Sequence, residues 1–178
     1  MNQLKKRILE ISKKYGLAHV GSNLSAIDIL DEIYSLDEVV VSSGHAGLAY
    51  YVVVEKYTGL NAETLFEEFG VHAQMYGSLG HGFPISLGKA LATKDNVYCL
   101  TSDGEWCEGS MWETLRLAKK LKAFNLKIYV NANGFGGMEK IDRKQLRDRI
   151  MSFGFPVEFR KTSNKPLKGL GAHYEKVI

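Results

Sequence analysis

Two apolar runs, Val97-Tyr98-Cys99-Leu100-Thr101 and Leu126-Lys127-Ile128-Tyr129-Val130, constrain this sequence more than any other feature. Between them lies a helical pattern carrying Met111, Trp112, Leu115 and Ala118. Strand, helix and strand in that order make a βαβ unit, whose crossover is almost always right-handed. Both runs are apolar without alternation, the pattern of strands with both faces covered. The expected fold is therefore α/β: an open, mostly parallel sheet with helices on both faces.

Leu4, Ile8, Ile11 and Tyr15 recur at helical spacing, and Ser25 with Asp28 predicts a helix cap before Ile29, Leu30 and Ile33. Val39-Val40-Val41 reads as a strand that turns at Ser42-Ser43-Gly44-His45 into a helix from Ala46 toward Tyr57. Thr58-Gly59 ends that helix, and Asn61 caps another through about Phe69. The segment Gly77-Ser78-Leu79-Gly80-His81-Gly82 is a loop leading into a helix over Ile85 to Leu91. Gly134, Gly136 and Gly137 break the connection after the second apolar run. A charged helix is expected from Asp142 to Met151, and Val157-Glu158-Phe159 as a final strand. From Lys161 the sequence is polar and reads as irregular. No repeat, low-complexity tract or linker divides it, so a single domain over 1–178 is expected, long enough to bury roughly 70% of its unfolded surface.

A net charge of +3 from 23 basic and 20 acidic side chains is too small for a broad nucleic-acid footprint. No apolar run approaches the ~20 residues of a membrane span, and the basic N-terminus continues into an amphipathic pattern, so a cytoplasmic protein is expected. Cys99 and Cys107 have neither a zinc-site spacing nor a secretory context and read as reduced thiols.

Ligands of open parallel sheets bind beyond the carboxyl ends of the strands. Three strands deliver polar residues there: Gly44 and His45, Asp103-Gly104-Glu105, and Asn131-Ala132-Asn133-Gly134. Asp103 and Asn133 stand 30 positions apart, the separation supplied by one crossover helix and one strand. A carboxylate and a carboxamide oxygen on neighbouring strand ends suit Mg²⁺, which fills its octahedron with water and substrate phosphate. Glycines beside both allow a diphosphate to approach the backbone, with amides of the Gly77 to Gly82 loop and of helix N-termini as donors. The implied ligand is a metal diphosphate. Nucleotide motifs fit less well: the loop reads G-x-x-G-x-G, and Gly88-Lys89 is followed by Ala90 where a Walker loop needs Ser or Thr.

At Asp103-Gly104-Glu105 and Asn133-Gly134 the sequence resembles the thiamine-diphosphate signature. Ser43-Gly44-His45-Ala46, Gly77-Ser78-Leu79-Gly80-His81-Gly82, and Ser102-Asp103-Gly104-Glu105 with Glu108-Gly109-Ser110-Met111-Trp112-Glu113 look like the corresponding stretches of the transketolase family, in the same order. The resemblance implies the diphosphate-binding domain of a transketolase, with thiamine diphosphate and Mg²⁺ as cofactors. By it, Asp103 and Asn133 would bind the metal by side chain and Phe135 by its carbonyl oxygen. Gly104 and Glu105 would lie beside the diphosphate, His45 near the cofactor, and Gly77 and Leu79 in the loop around it. His19 would face the ketol oxygens of a sugar substrate, making His19 and His45 the catalytic candidates, and Glu108 would lie at a subunit interface. Set against these roles, a histidine at a strand end is as often a satisfied structural residue. Trp112, Met111 and Leu115 read as core, and the charges from Lys140 to Arg149 as a solvated helix face. His72, His81 and His173 are assigned no chemistry.

Ser102 replaces the first Gly of the usual Gly-Asp-Gly, and the stretch between Phe69 and Gly77, with Ala73 after His72, is shorter than the family's substrate-channel loop. The family's catalytic Glu belongs to a pyrimidine-binding domain, which the resemblance does not find in these residues. The resulting expectation is a short split subunit, active in a hetero-oligomer such as a heterotetramer with a partner carrying that domain. The reaction expected is transfer of a two-carbon ketol unit between sugars. A deoxyxylulose-phosphate-synthase-like condensation and a non-catalytic thiamine-diphosphate-binding or scaffold role are the alternatives.

Overall fold

Residues two apart along a strand share a face, and here each face meets its own layer of helices. The computed structural model describes residues 2–34, 38–70, 77–136 and 139–167. Strands β1 (Glu38–Val41), β2 (Val97–Ser102), β3 (Leu126–Ala132) and β4 (Val157–Lys161) pair in that order, all parallel. Val39, Val41 and Leu100 pack with helices α1 (Gln3–Tyr15), α2 (Val20–Ile33) and α3 (Gly47–Thr58). The short helix α4 (Ala62–Phe69) leans on α3. Val40, Val97, Cys99, Ile128 and Val130 pack on the other side with α5 (Gly82–Ala92), α6 (Gly109–Lys120) and α7 (Arg143–Ser152). The sheet is thus parallel and covered on both faces, as the two apolar runs predict.

Caps set several helix ends. The Asn2 side chain accepts from the Lys5 amide at the start of α1, Asn61 from Glu63 and Thr64 at α4, and Asp142 from Lys144 and Gln145 at α7. Gly16 and Gly59, both left-handed, end α1 and α3. Met111 and Leu115 are buried in α6, as expected of core residues, while Trp112 is half-buried. Each fully buried Leu or Ile of these layers contributes about 1.5–3 kcal/mol relative to an exposed one.

Two expectations need correction. Helix α2 starts at Val20, not after Ser25, and Ser25 lies buried inside it. Gly21, Ser22 and Asn23 are weak helix formers, but this helix is enclosed on nearly all sides and tertiary contacts override propensity. Lys161 closes β4 instead of opening an irregular tail, and the Thr162 amide donates to the Ala132 carbonyl. The short stretch with His72 and Ala73, Gly137, and the tail with His173 lie outside the described residues. Among the described residues no helix is long and apolar enough to cross a membrane. Cys99 and Cys107 are both free, with burial pushing the Cys99 thiol up to about 12.

Candidate functional site

The ends of β2 and β3 are neighbours, Ser102 pairing with Asn131, so the residues just beyond them meet. Asp103 opens a 3₁₀ turn (Asp103–Cys107) and is only 1% exposed. Its Oδ2 accepts from the Gly134 amide at 2.6 Å and its Oδ1 from the Gly104 amide at 3.1 Å. Burial pushes the carboxyl up to about 7 against the pull of those amides. A cation alongside would hold it ionised.

Asn133 follows β3 and is 7% exposed. Its Oδ1 accepts from the Phe135 amide at 2.9 Å, and its Nδ2 donates to Ser25 Oγ at 3.1 Å. Gly134 takes a positive φ of 89°, turning the chain so that Gly136 and Ile141 close a tight return through their amides. A Cβ on Gly104 would sit 3.3 Å from Gly136 Cα and 3.8 Å from the Phe135 carbonyl oxygen. That close approach puts Asp103, Asn133 and the Phe135 carbonyl around one spot. The donor set is a carboxylate, a carboxamide oxygen and a main-chain carbonyl, all hard oxygens, which fits Mg²⁺. Among the described residues no group of three or more His, Cys, Asp or Glu side chains could hold a metal.

Glu105 is fully buried, and both its oxygens are engaged within the protein. They accept from Ser42 Oγ at 2.8 Å, the Gly80 amide at 3.2 Å and the Ser102 amide at 2.9 Å. The carboxyl is raised by burial, with these donors opposing. It ties the end of β1, the glycine loop and the end of β2 together. The sequence pattern offers the Gly80 amide to a diphosphate; in the structure that amide is spent on Glu105. The loop is held closely on its other side too: Ser110 Oγ donates to the Gly80 carbonyl, and a Cβ on Gly82 would stand 2.4 Å from Ser42 Cα. Gly77 and Leu79 stand exposed on this loop.

His45 lies in a 3₁₀ turn (Gly44–Ala46) after β1, and His19 immediately precedes α2. Their rings are 5.7 Å apart between centroids. His19 holds a left-handed φ of 58°, a conformation costing a non-glycine residue about 1–3 kcal/mol and often kept at functional positions. The Asn23 amide binds both turns, donating to the carbonyls of His19 at 3.0 Å and His45 at 3.3 Å, while its oxygen accepts from the Ala49 amide. Two residues before His45, the buried Ser43 hydroxyl has no partner among the described residues, the kind of group a ligand satisfies.

Sequence reasoning passed over Asn23, took Ser25 for a cap, and placed Ser42 and Asn131 at strand ends without their contacts, though all four hold these groups in place. A polar residue inside a helix or next to a strand end carries no pattern that names its partner. A cleft of about 610 Å³ between α6 and α7 has Asp103 at its wall, with Trp106, Cys107, Trp112 and Phe153, but neither histidine lines it.

No family model matches the chain. One of the subunits of an apulose-4-phosphate transketolase, from Phocaeicola vulgatus, is 28% identical over 190 residues, covering 86% of this chain and 68% of its own. The 6-deoxy-6-sulfo-D-fructose transketolase of a Clostridium species has a subunit that is 27% identical over 195 residues, covering 88% and 71%. In structure, the transketolase of Campylobacter jejuni superposes with a TM-score of 0.64 at 17% identity, over 99% of this chain and 40% of that one. At that identity the structural likeness speaks for the fold alone.

Proposed function

We propose, from its likeness in sequence to transketolase subunits, that the chain binds thiamine diphosphate through Mg²⁺ and works as the diphosphate-binding subunit of a ketol-transferring enzyme. The observation that carries this reading is the meeting of Asp103, Asn133 and the Phe135 carbonyl beyond β2 and β3. The chemistry that the cofactor would supply is an electron sink for the carbanion left when a ketose carbon–carbon bond breaks.

The protein's own residues bind and orient. Asp103 and Asn133 would hold the cation beside the diphosphate, and the bare Gly104 lets the turn after β2 lie close to Gly136, where a side chain would press. Glu105 keeps the loop and strand ends in register from inside. His45 serves the cofactor and His19 the hydroxyl and carbonyl oxygens of the sugar, where an imidazole can donate or accept a proton. A partner subunit supplies the pyrimidine-binding domain and its catalytic Glu; support comes from the two relatives, which are named as subunits.

Calorimetry with Mg²⁺ and thiamine diphosphate tests the site. Asp103→Ala should weaken binding at least about tenfold, or about 1.4 kcal/mol, with the fold retained. Unchanged affinity would refute the reading. Tight binding with no turnover, even with a partner present, would leave a non-catalytic binding role.

A further inference from the structure

A serine hydroxyl has one hydrogen to give and two lone pairs to receive. Ser25 is 2% exposed in the middle of α2, and its neighbours use all three. The hydrogen goes to the Ser22 carbonyl at 3.0 Å, a group that can only accept. Its oxygen is therefore left as a pure acceptor. Two carboxamides compete for it: Asn131 donates through Nδ2 at 2.9 Å and Asn133 through Nδ2 at 3.1 Å.

An asparagine amide is nearly symmetrical in shape, and the two ends differ only in whether they donate or accept. At Asn133 that difference decides whether a cation meets an oxygen or an NH₂ group. With Ser25 Oγ unable to donate, only one orientation of each amide is satisfied. The NH₂ ends point to Ser25, and the oxygens are turned outward. Asn131 Oδ1 then accepts from the Thr162 hydroxyl, and Asn133 Oδ1 accepts from the Phe135 amide with a lone pair remaining.

We propose that Ser25 is a positioning residue for the metal site: by accepting from Asn133, its hydroxyl fixes the carboxamide with the oxygen toward the cation. The inference rests on Asn133 being a metal ligand, and it assigns to α2 a part in metal binding beyond its place in the core. Without the hydroxyl, the Phe135 amide alone selects the orientation of Asn133, and the donor set loses an oxygen for part of the time.

The test is a double-substitution cycle read by metal binding alone, with free Mn²⁺ followed by electron paramagnetic resonance and Mg²⁺ by competition. Ser25→Ala should weaken Mn²⁺ binding about ten- to hundredfold, the usual effect of removing a group that orients a ligand. Ser25→Thr, which keeps the hydroxyl, should stay within about threefold of the parent. In an Asn133→Asp background both terminal atoms are oxygens and orientation no longer matters, so adding Ser25→Ala should cost less than about twofold. Circular dichroism confirms which variants fold; if Ser25→Ala does not, Ser25→Cys, whose thiol is a poor acceptor in nearly the same space, takes its place in both backgrounds. A loss from Ser25→Ala that is equally large in both backgrounds would overturn the proposal, as would unchanged binding in the Asn133 parent or a Thr variant as weak as the Ala variant. The metal-site reading fails separately, if Asp103→Ala leaves Mn²⁺ binding untouched.

Discussion

Histidines 19 and 45 approach one another from different elements, one ahead of α2 and one behind β1, and the roles proposed for them predict different losses. With a partner present, His19→Ala should lower kcat about a hundredfold while thiamine diphosphate affinity changes less than about threefold. His45→Ala should weaken cofactor binding as well. Steady-state kinetics beside calorimetry separates the two, and equal loss of cofactor affinity in both variants would show the roles divided wrongly. Of the residues at this edge, Asp103 and Asn133 were legible because strand ends and their separation can be read from the apolar runs. Glu105 was legible as a position but not as a contact. Nothing in its flanking residues says that its oxygens face Ser42 and Gly80, which lie 63 and 25 residues away. Ser25 was misread for a related reason: a serine followed by an aspartate looks like a cap wherever it stands, and only the enclosure of α2 reveals otherwise.

At the scale of elements, the sheet and the amphipathic helices were legible, and of the helix buried on nearly every side only the second half was, because the polar residues of its first turns break the periodicity that marks a core face. Ion pairing between elements was equally hidden. Arg7 of α1 grips Glu55 of α3 with two hydrogen bonds, at 2.9 and 3.1 Å, and reaches Glu63 of α4 at 3.0 Å. Hydrogen bonding from Arg7 holds the Glu55 carboxyl below its ordinary value. A depressed carboxyl stabilises the fold above its unfolded pKa and loses that contribution as pH falls through the folded value. Arg7→Met should therefore cost about 1 kcal/mol at pH 7, the partial exposure of the pair keeping the figure small. The difference from the parent should shrink toward pH 3. Urea titrations at the two pH values check this, and a gap of the same size at both would remove the ion pair as its cause.

For the whole molecule, the prediction concerns what this chain does alone. Leu79 is 37% exposed on the loop proposed to surround the cofactor, so the isolated chain leaves that region open to water. Closed sites protect reactive intermediates and strengthen the polar contacts within them. Mixing the purified chain with a protein that carries a pyrimidine-binding domain should give a stable complex, tighter cofactor binding and ketol transfer. Each gain in activity should vanish when the partner's catalytic Glu is replaced by Gln. Robust turnover by this chain alone, unaffected by the added protein, would overturn the two-subunit reading.

Helix α2 begins beside His19 and carries Ser25 six residues further on. A helix rises about 1.5 Å per residue and hardly stretches, so the two positions are separated by a fixed step of about 9 Å along its axis. On the roles proposed here, that rod is a ruler laid between the end that meets sugar oxygens and the end that steadies the cation. Loops can lengthen by an insertion without disturbing their neighbours, whereas this interval changes only if a residue enters the helix and rotates every side chain beyond it by about 100°. Adaptation to sugars of another length would then have to come from the surfaces around the ruler, since its own graduation cannot move.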